Sequence, residues 1–172
     1  RAQMNPHFIF NALTSIQNFY QKNDELSANR YMSDFAFLIR RSLNSSRNDF
    51  DSLESELEML DKYIGLELQR INVPCSYSIK KTEKVNFKTI RFPSMLLQPI
   101  VENALLHGVR HTPAEKGELL ITISSTDTAL EIEISDNGPG FDGAIGKNQS
   151  AGLDITKQRI DTINKIYHFG LG

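Results

Sequence analysis

The chain has a single cysteine, Cys75, which excludes an internal disulfide framework and any zinc site built on cysteine thiolates. It has no run approaching the ~18 consecutive apolar residues of a membrane span and no signal-peptide pattern. No membrane contact by this stretch is therefore expected. It also lacks an excess of basic charge, since 19 Lys and Arg stand against 21 Asp and Glu and are scattered along the sequence, so nucleic acid is not an expected partner. Internal repeats are absent. What is present is ordinary: 172 residues, 40% hydrophobic and 23% charged, enough for one cored domain plus a smaller element. The sequence opens on Arg1 already inside a helical pattern and closes on "HFGLG". A piece of a longer protein is expected, with any membrane or sensor part lying outside it.

Hydrophobic periodicity predicts a helix over 3–21, with Ile9, Leu13, Ile16 and Tyr20 forming one apolar stripe and His7, Asn11, Thr14 and Asn18 a polar line on the other side. Pro6 either starts this helix behind an Asn5 cap or kinks it. A second helix over 26–43, with Leu26, Tyr31, Phe35, Leu38 and Ile39 for packing, completes an antiparallel hairpin too small to stand alone and expected to dimerise. The polar stretch 44–52 reads as a linker. Asp51 and Glu54 stand in capping-box spacing ahead of a core helix with Leu53, Leu57, Leu60, Ile64, Leu68 and Ile71 on one face.

From Val73 the period shortens to two, and Cys75, Tyr77 and Ile79 predict a half-buried strand. A helix follows from Pro93 and Ser94 to about His107, ended by Gly108. "ELLITISS" and "ALEIEISD" form a hairpin, a Gly-rich loop spans 137–152, and a last helix runs over 153–167. The expected class is α+β: a helical hairpin at 1–48, then an α/β sandwich at 49–172 with helices on one side of a largely antiparallel sheet.

Three segments carry chemistry. In "LLQPIVENALLHG", Asn103 and His107 stand one helical turn apart on the face opposite Leu97, Ile100, Val101 and Ala104, and an amide oxygen suits a hard cation such as Mg²⁺. An asparagine that merely caps or cross-links a helix fits the same segment. In "ISDNGPGF", period two puts Asp136 on the apolar side with Leu130, Ile132 and Ile134, where its carboxylate needs a donor such as a ligand amino group. An Asp-Asn-Gly turn is the plainer reading of those three residues. Gly138 and Gly140 allow backbone to approach a ligand closely. "SAGLDI" opens the last helix with unpaired N–H groups where phosphate can rest. The order of these segments is more specific than any one of them.

"NPHFIFNAL", "SLESELEMLDKYIGLELQR", "LLQPIVENALLHG", "DNGPGF" and "SAGLDITKQRI" resemble the successive signatures of LytS-type sensor histidine kinases. Their ATP-binding part belongs to the gyrase, chaperone, histidine-kinase and MutL superfamily. The resemblance covers nearly the whole chain. It implies ATP as phosphoryl donor with Mg²⁺, His7 as phosphoacceptor, Asn103 as the metal ligand, and Asp136 as the residue holding the adenine amino group. Gly138 and Gly140 correspond to one glycine box, and Ser150, Gly152 and Leu153 to a second beside the phosphates, with Glu102 and His107 helping to position phosphate or metal. A response regulator, receiving the phosphoryl group on an aspartate, and a second copy of the chain are the implied partners. The implied location is the cytoplasmic portion of a bacterial inner-membrane sensor.

The departures bear on mechanism. Phe8 stands where many histidine kinases place an acid after the phosphoacceptor, leaving Asn11 as the polar neighbour able to orient His7 or a water. Ser150 replaces a glycine, and the lid from Phe141 to Ser150 is short. Pro99 occupies the position of the glutamate with which hydrolytic relatives activate water, and proline is no base. A non-catalytic nucleotide-binding dimerisation module, an ATPase clamp and a protein-serine kinase of the same superfamily are the alternatives.

Overall fold

The computed structural model describes residues 6–45, 48–71, 73–82, 85–112, 115–126, 129–140, 156–158, 160–162 and 164–165, apart from the side chains of Pro6, His7 and Ser45. The chain divides into two compact units: Arg1–Arg70 with Phe87–Met95, and Ile71–Asn86 with Leu96–Gly172.

The first unit is built from three helices and two short strands. Helix α1, Pro6–Gln21, and helix α2, Glu25–Ser45, form the expected hairpin. Its turn carries Asn23 at φ 56° and an Asp24 carboxylate that accepts the Ser27 N–H at 3.1 Å. The buried stripe of α1 is not the one periodicity suggested. Phe8 and Ala12 are buried and Phe19 half-buried, whereas Leu13 and Tyr20 are exposed and Ile9 and Ile16 only half-covered. Both stripes have helical spacing, but aromatic area decides which faces inward. Phe8 lies 5.9 Å from the Phe35 ring and 5.2 Å from Tyr63, and Phe19 lies 5.8 Å from Tyr31, contacts that a stripe of aliphatic residues cannot supply.

Strand β1, Phe50–Ser52, interrupts the predicted linker, and helix α3, Leu53–Leu68, follows it directly. Its N-cap is Ser52, whose Oγ accepts the Ser55 N–H at 3.1 Å. Asp51 does not cap the helix as its spacing suggested; its carboxylate accepts instead from the Ser55 hydroxyl at 2.7 Å and the Ser52 N–H at 2.8 Å. Leu53, Leu57, Leu60 and Ile64 are buried as expected, but so are Glu56, Met59, Tyr63, Leu66 and Glu67 on other faces. A helix covered nearly all round is the centre of its unit.

Strand β3, Arg91–Pro93, pairs antiparallel with β1, with Phe50 opposite Pro93 and Ser52 opposite Arg91. The predicted helix from Pro93 is therefore a strand end. Proline tolerates this position because it owes the ladder no further donor, and the chain then turns at Met95, which takes φ 57°, a conformation no α-helix contains.

The second unit holds a three-stranded sheet in the order β2–β4–β5, from Cys75–Lys81, Gly117–Ser125 and Leu130–Asp136. β4 and β5 are the predicted hairpin, with Ile121 opposite Ile134. β2 runs parallel to β4, Ile79 opposite Ile121, so the described sheet is mixed and not largely antiparallel. A long connection makes this possible, since parallel neighbours need a crossover of a dozen or more residues and here it includes helix α4, Gln98–Asn103. Leu119, Ile121 and Ile123 are buried on one face, in the alternation read from sequence. The described residues between 156 and 165 are helical, within the predicted last helix.

Candidate functional site

Helix α4 begins without a side-chain cap, with Pro99 in its first turn where the missing N–H leaves no bond unmade. It ends at Asn103 in a π-helical turn, Ala104–Gly108, and a 3₁₀ turn, Val109–His111. The Ala104 N–H is shared between Ile100 and Val101 carbonyls, and the Val109 N–H between Ala104 and Leu105. Gly108 closes the π turn, but helical backbone continues past it to His111. Single π turns of this kind mark functional segments. This one starts immediately after Asn103, so Asn103 and His107 are separated by a widened turn and not by the regular helical turn assumed from their spacing.

Asn103 is half-buried, and its amide Nδ2 is buried without a hydrogen-bond partner among the described residues. Rotating the amide by half a turn offers oxygen at the same place, and a buried oxygen with no competing donor is what a hard cation takes up. Glu102 and His107 flank it, both half-buried.

The end of β5 packs on this helix through two glycines. A Cβ added to Gly108 would fall inside the Asp136 carboxylate, and one added to Gly138 would meet the backbone of Gly108 and come within 2.7 Å of Asp136 Oδ1. Asp136 Oδ1 accepts the Gly138 N–H at 2.9 Å. Asp136 itself is exposed. The expectation that alternation buries its carboxylate in the core is thus corrected: the strand ends here, and the carboxylate lies against the bare Cα of Gly108 with solvent access.

Asn137 fixes this arrangement. Its Oδ1 accepts the Glu118 N–H at 2.8 Å, its Nδ2 donates to the Lys116 carbonyl at 2.9 Å, and its carbonyl accepts from the Thr112 hydroxyl at 2.9 Å. One residue thereby ties the loop to the start of β4 through its side chain and to the helix exit through its backbone carbonyl. Neither Asn137 nor Thr112 stood out in the sequence, where Asn137 read as a turn residue. Gly140 takes φ 73° with open space around its Cα, so its glycine serves conformation, while that of Gly138 serves close approach. Ser150, Gly152 and Leu153 lie outside the described residues.

Cys75 is a strand residue, as expected, and burial pushes its thiol above the usual range while the Sγ–H donates to the Val73 carbonyl at 2.8 Å. Such a thiol is not a nucleophile near neutral pH. On the first unit, His7 lies in the first turn of α1, and Asn11, one turn on, is half-buried.

Residues 1–73 match the family model described as histidine kinase, and residues 93–168 match that of the histidine kinase-, DNA gyrase B- and HSP90-like ATPases. Sensor protein LytS of Staphylococcus saprophyticus is 30% identical over 96% of this chain and 28% of its own length. Sensor protein LytS of Oceanobacillus iheyensis is 32% identical over 83% of this chain and 24% of its own. Sensor histidine kinase YpdA of Escherichia coli is 28% identical, again over 83% and 24%. The chain spans roughly a quarter of the length of these curated relatives. Among solved structures, Acinetobacter baumannii histidine kinase AdeS matches with a TM-score of 0.48 at 15% identity, covering 90% of this chain and 86% of that one.

Proposed function

We propose, from the membership of this chain in the LytS-type sensor histidine kinases, that it transfers the γ-phosphoryl group of ATP to His7 and passes it to an aspartate of a response regulator. The observation that carries the reading is the packing of Asp136 against Gly108 and Gly138, on the same helical segment as the buried Asn103 amide that has no partner among the described residues. An exposed carboxylate held against two glycines can accept the adenine amino group. Asn103 is the residue that would hold Mg²⁺, which when bound neutralises phosphate charge. Glu102 and His107 are its neighbours in that role, and Gly140, Ser150, Gly152 and Leu153 complete the nucleotide site.

In the transfer, an imidazole nitrogen lone pair of His7 forms the N–P bond as the bond from γ-phosphorus to the β–γ bridging oxygen breaks. ADP leaves with that electron pair, and the ring N–H proton passes to solvent. Phosphoryl transfer depends mostly on positioning and charge neutralisation, and a neutral imidazole is available near pH 7. Phe8 contributes nothing to the proton, since it is committed to the core of its unit. Asn11 is the residue proposed to orient the ring. Pro99 supplies no base for water, which disfavours the hydrolytic alternative.

The functional division we propose is a phosphoacceptor and dimerisation hairpin at 1–48 and an ATP-binding domain at 49–172. The exposed apolar side chains Leu13 and Tyr20 on α1 and Met32 and Leu43 on α2 support a homodimer through the hairpin. The location proposed is the cytoplasmic side of a bacterial inner membrane, as part of a membrane-associated sensor.

The test is incubation with γ-labelled ATP and Mg²⁺, comparing the wild type with His7→Ala and Asn103→Ala. Acid-labile, alkali-stable label on the wild type and its loss from both variants is the expected result. Nucleotide binding with no label on the wild type would sink the kinase reading in favour of a non-catalytic dimerisation module.

A further inference from the structure

Strand β5 leaves its sheet at Asn137, and this residue completes the ladder with its side chain. At the hairpin end the Thr126 N–H donates to the Ala129 carbonyl at 2.8 Å, and in an antiparallel pair such hydrogen-bonded positions recur at every second residue. The register that sets Leu119 opposite Asp136 therefore makes Glu118 and Asn137 the next such pair beyond the strand end. Half of that pair is regular, since the Asn137 N–H donates to the Glu118 carbonyl at 3.2 Å. In the other half the Glu118 N–H donates at 2.8 Å to Oδ1 of Asn137 and not to its backbone carbonyl. The side-chain amide thus stands in for the main chain, and its Nδ2 donates to the Lys116 carbonyl at 2.9 Å. Released from the ladder, the Asn137 carbonyl accepts from the Thr112 hydroxyl at 2.9 Å.

This exchange lets the backbone turn one residue after Asp136. Gly138 then donates to Asp136 Oδ1 at 2.9 Å and lies against the backbone of Gly108. A backbone carbonyl in the ladder would carry the strand onward and away from both contacts. The chemistry asks for an amide, which offers acceptor and donor on one short side chain. A carboxylate lacks the donor for Lys116, and an aliphatic residue lacks both. Every residue involved belongs to the second unit.

We infer that Asn137 is the positioning residue for base recognition: by replacing its own carbonyl in the ladder it ends β5 directly after Asp136, and so fixes the carboxylate that meets the exocyclic amino group of the nucleotide. The inference rests on the reading of this site as an ATP site, and adds what sets its selectivity.

The experiment uses calorimetry with Mg²⁺ to compare the dissociation constants of the whole chain for ATP and for purine riboside triphosphate, which differs only in lacking the 6-amino group. Their ratio is the readout, because a change that merely loosens the fold weakens both ligands alike. The wild type should prefer ATP by about tenfold or more, the scale of one hydrogen bond to a charged group. Asn137→Ala should bring the two ligands to within about twofold of each other, through weaker ATP binding. Ile123→Val, a core change four residues along β4 from Leu119, should leave the ratio at its wild-type value. An undiminished preference for ATP in Asn137→Ala overturns the inference. So does an equal fall of the ratio in Ile123→Val, because any loosening of the sheet would then produce it. Should Asn137→Ala lose its strand signal in circular dichroism, Thr112→Val decides, since it removes only the hydroxyl that holds the Asn137 carbonyl: a lowered ratio upholds the inference and a wild-type ratio overturns it. A wild type that binds the two ligands equally, or binds neither, overturns the ATP-site reading itself, and the inference with it.

Discussion

Gly108 and Tyr31 show how single side chains constrain each unit. Replacing Gly108 with alanine drives a methyl group into the Asp136 carboxylate, and overpacking of this kind costs about 1–3 kcal/mol. We expect Gly108→Ala to lower the urea midpoint and to abolish binding of an ATP analogue, whereas Gly65→Ala, with nothing near its added Cβ, should leave binding unchanged. Tyr31 is buried, and burial pushes its phenol above the ordinary 10.0, opposed by Ser15 and by the Arg70 guanidinium. The unfolded chain ionises near 10.0, so this contribution to stability is full below that pH and is lost as pH rises through the higher folded value. Melting temperatures above pH 10 should therefore fall more steeply for the wild type than for Tyr31→Phe. A parallel decline in the two would show that another group governs the alkaline limit. At this scale the sequence was partly legible. Gly138 could be read from the Asp-x-Gly spacing, but the role of Asn137 could not, because its partners Thr112, Lys116 and Glu118 lie some twenty residues away, between the helix exit and the start of β4.

Elements were more legible than their faces. The hairpin, α3 and the β4–β5 pair all lie where periodicity puts them, since each is set by local pattern. β1 and β3 escaped notice because three residues are too few to show a period, and they exist only by pairing with each other. The inner face of α1 was misread because two stripes compete and long-range aromatic contacts with Phe35 and Tyr63 choose between them. The stripe left outside becomes the dimer prediction: Leu13→Asp with Met32→Asp should convert a dimer to monomers in sedimentation, with the helix content of α1 and α2 retained. A dimer that survives both changes would place the interface elsewhere. For α3, loss of the Ser52 cap in Ser52→Ala should cost about 1 kcal/mol in urea unfolding, while Ser52→Asp keeps an acceptor and should restore it.

Taken whole, the molecule does not divide where its chain would suggest. The first unit contains Phe87–Met95 although residues 71–86 belong to the second, so the backbone passes from one to the other three times. Leu53 N–H donates to the Ile90 carbonyl at 2.9 Å and Glu54 N–H to the Phe87 carbonyl at 3.2 Å, which ties the start of α3 to this returning segment. A fragment ending at Arg70 keeps all three helices but loses those acceptors. It should melt well below the first transition of the full chain by circular dichroism, and equal melting would show that the returning segment adds nothing to the unit's stability.

The returning strand also sets an order of events during synthesis. The hairpin and α3 leave the ribosome first, but the edge of β1 stays open until β3 has been made, about forty residues after β1 itself. At about 5–20 residues per second that wait is on the order of a second or more, long compared with the microseconds in which helices form. During that interval the nascent chain presents Glu56 without the Met95 N–H it will hold and Leu53 without the Ile90 carbonyl that will accept from it. The first unit thus begins translation early and finishes late, and its last strand is delivered by the same stretch of chain that leads into α4.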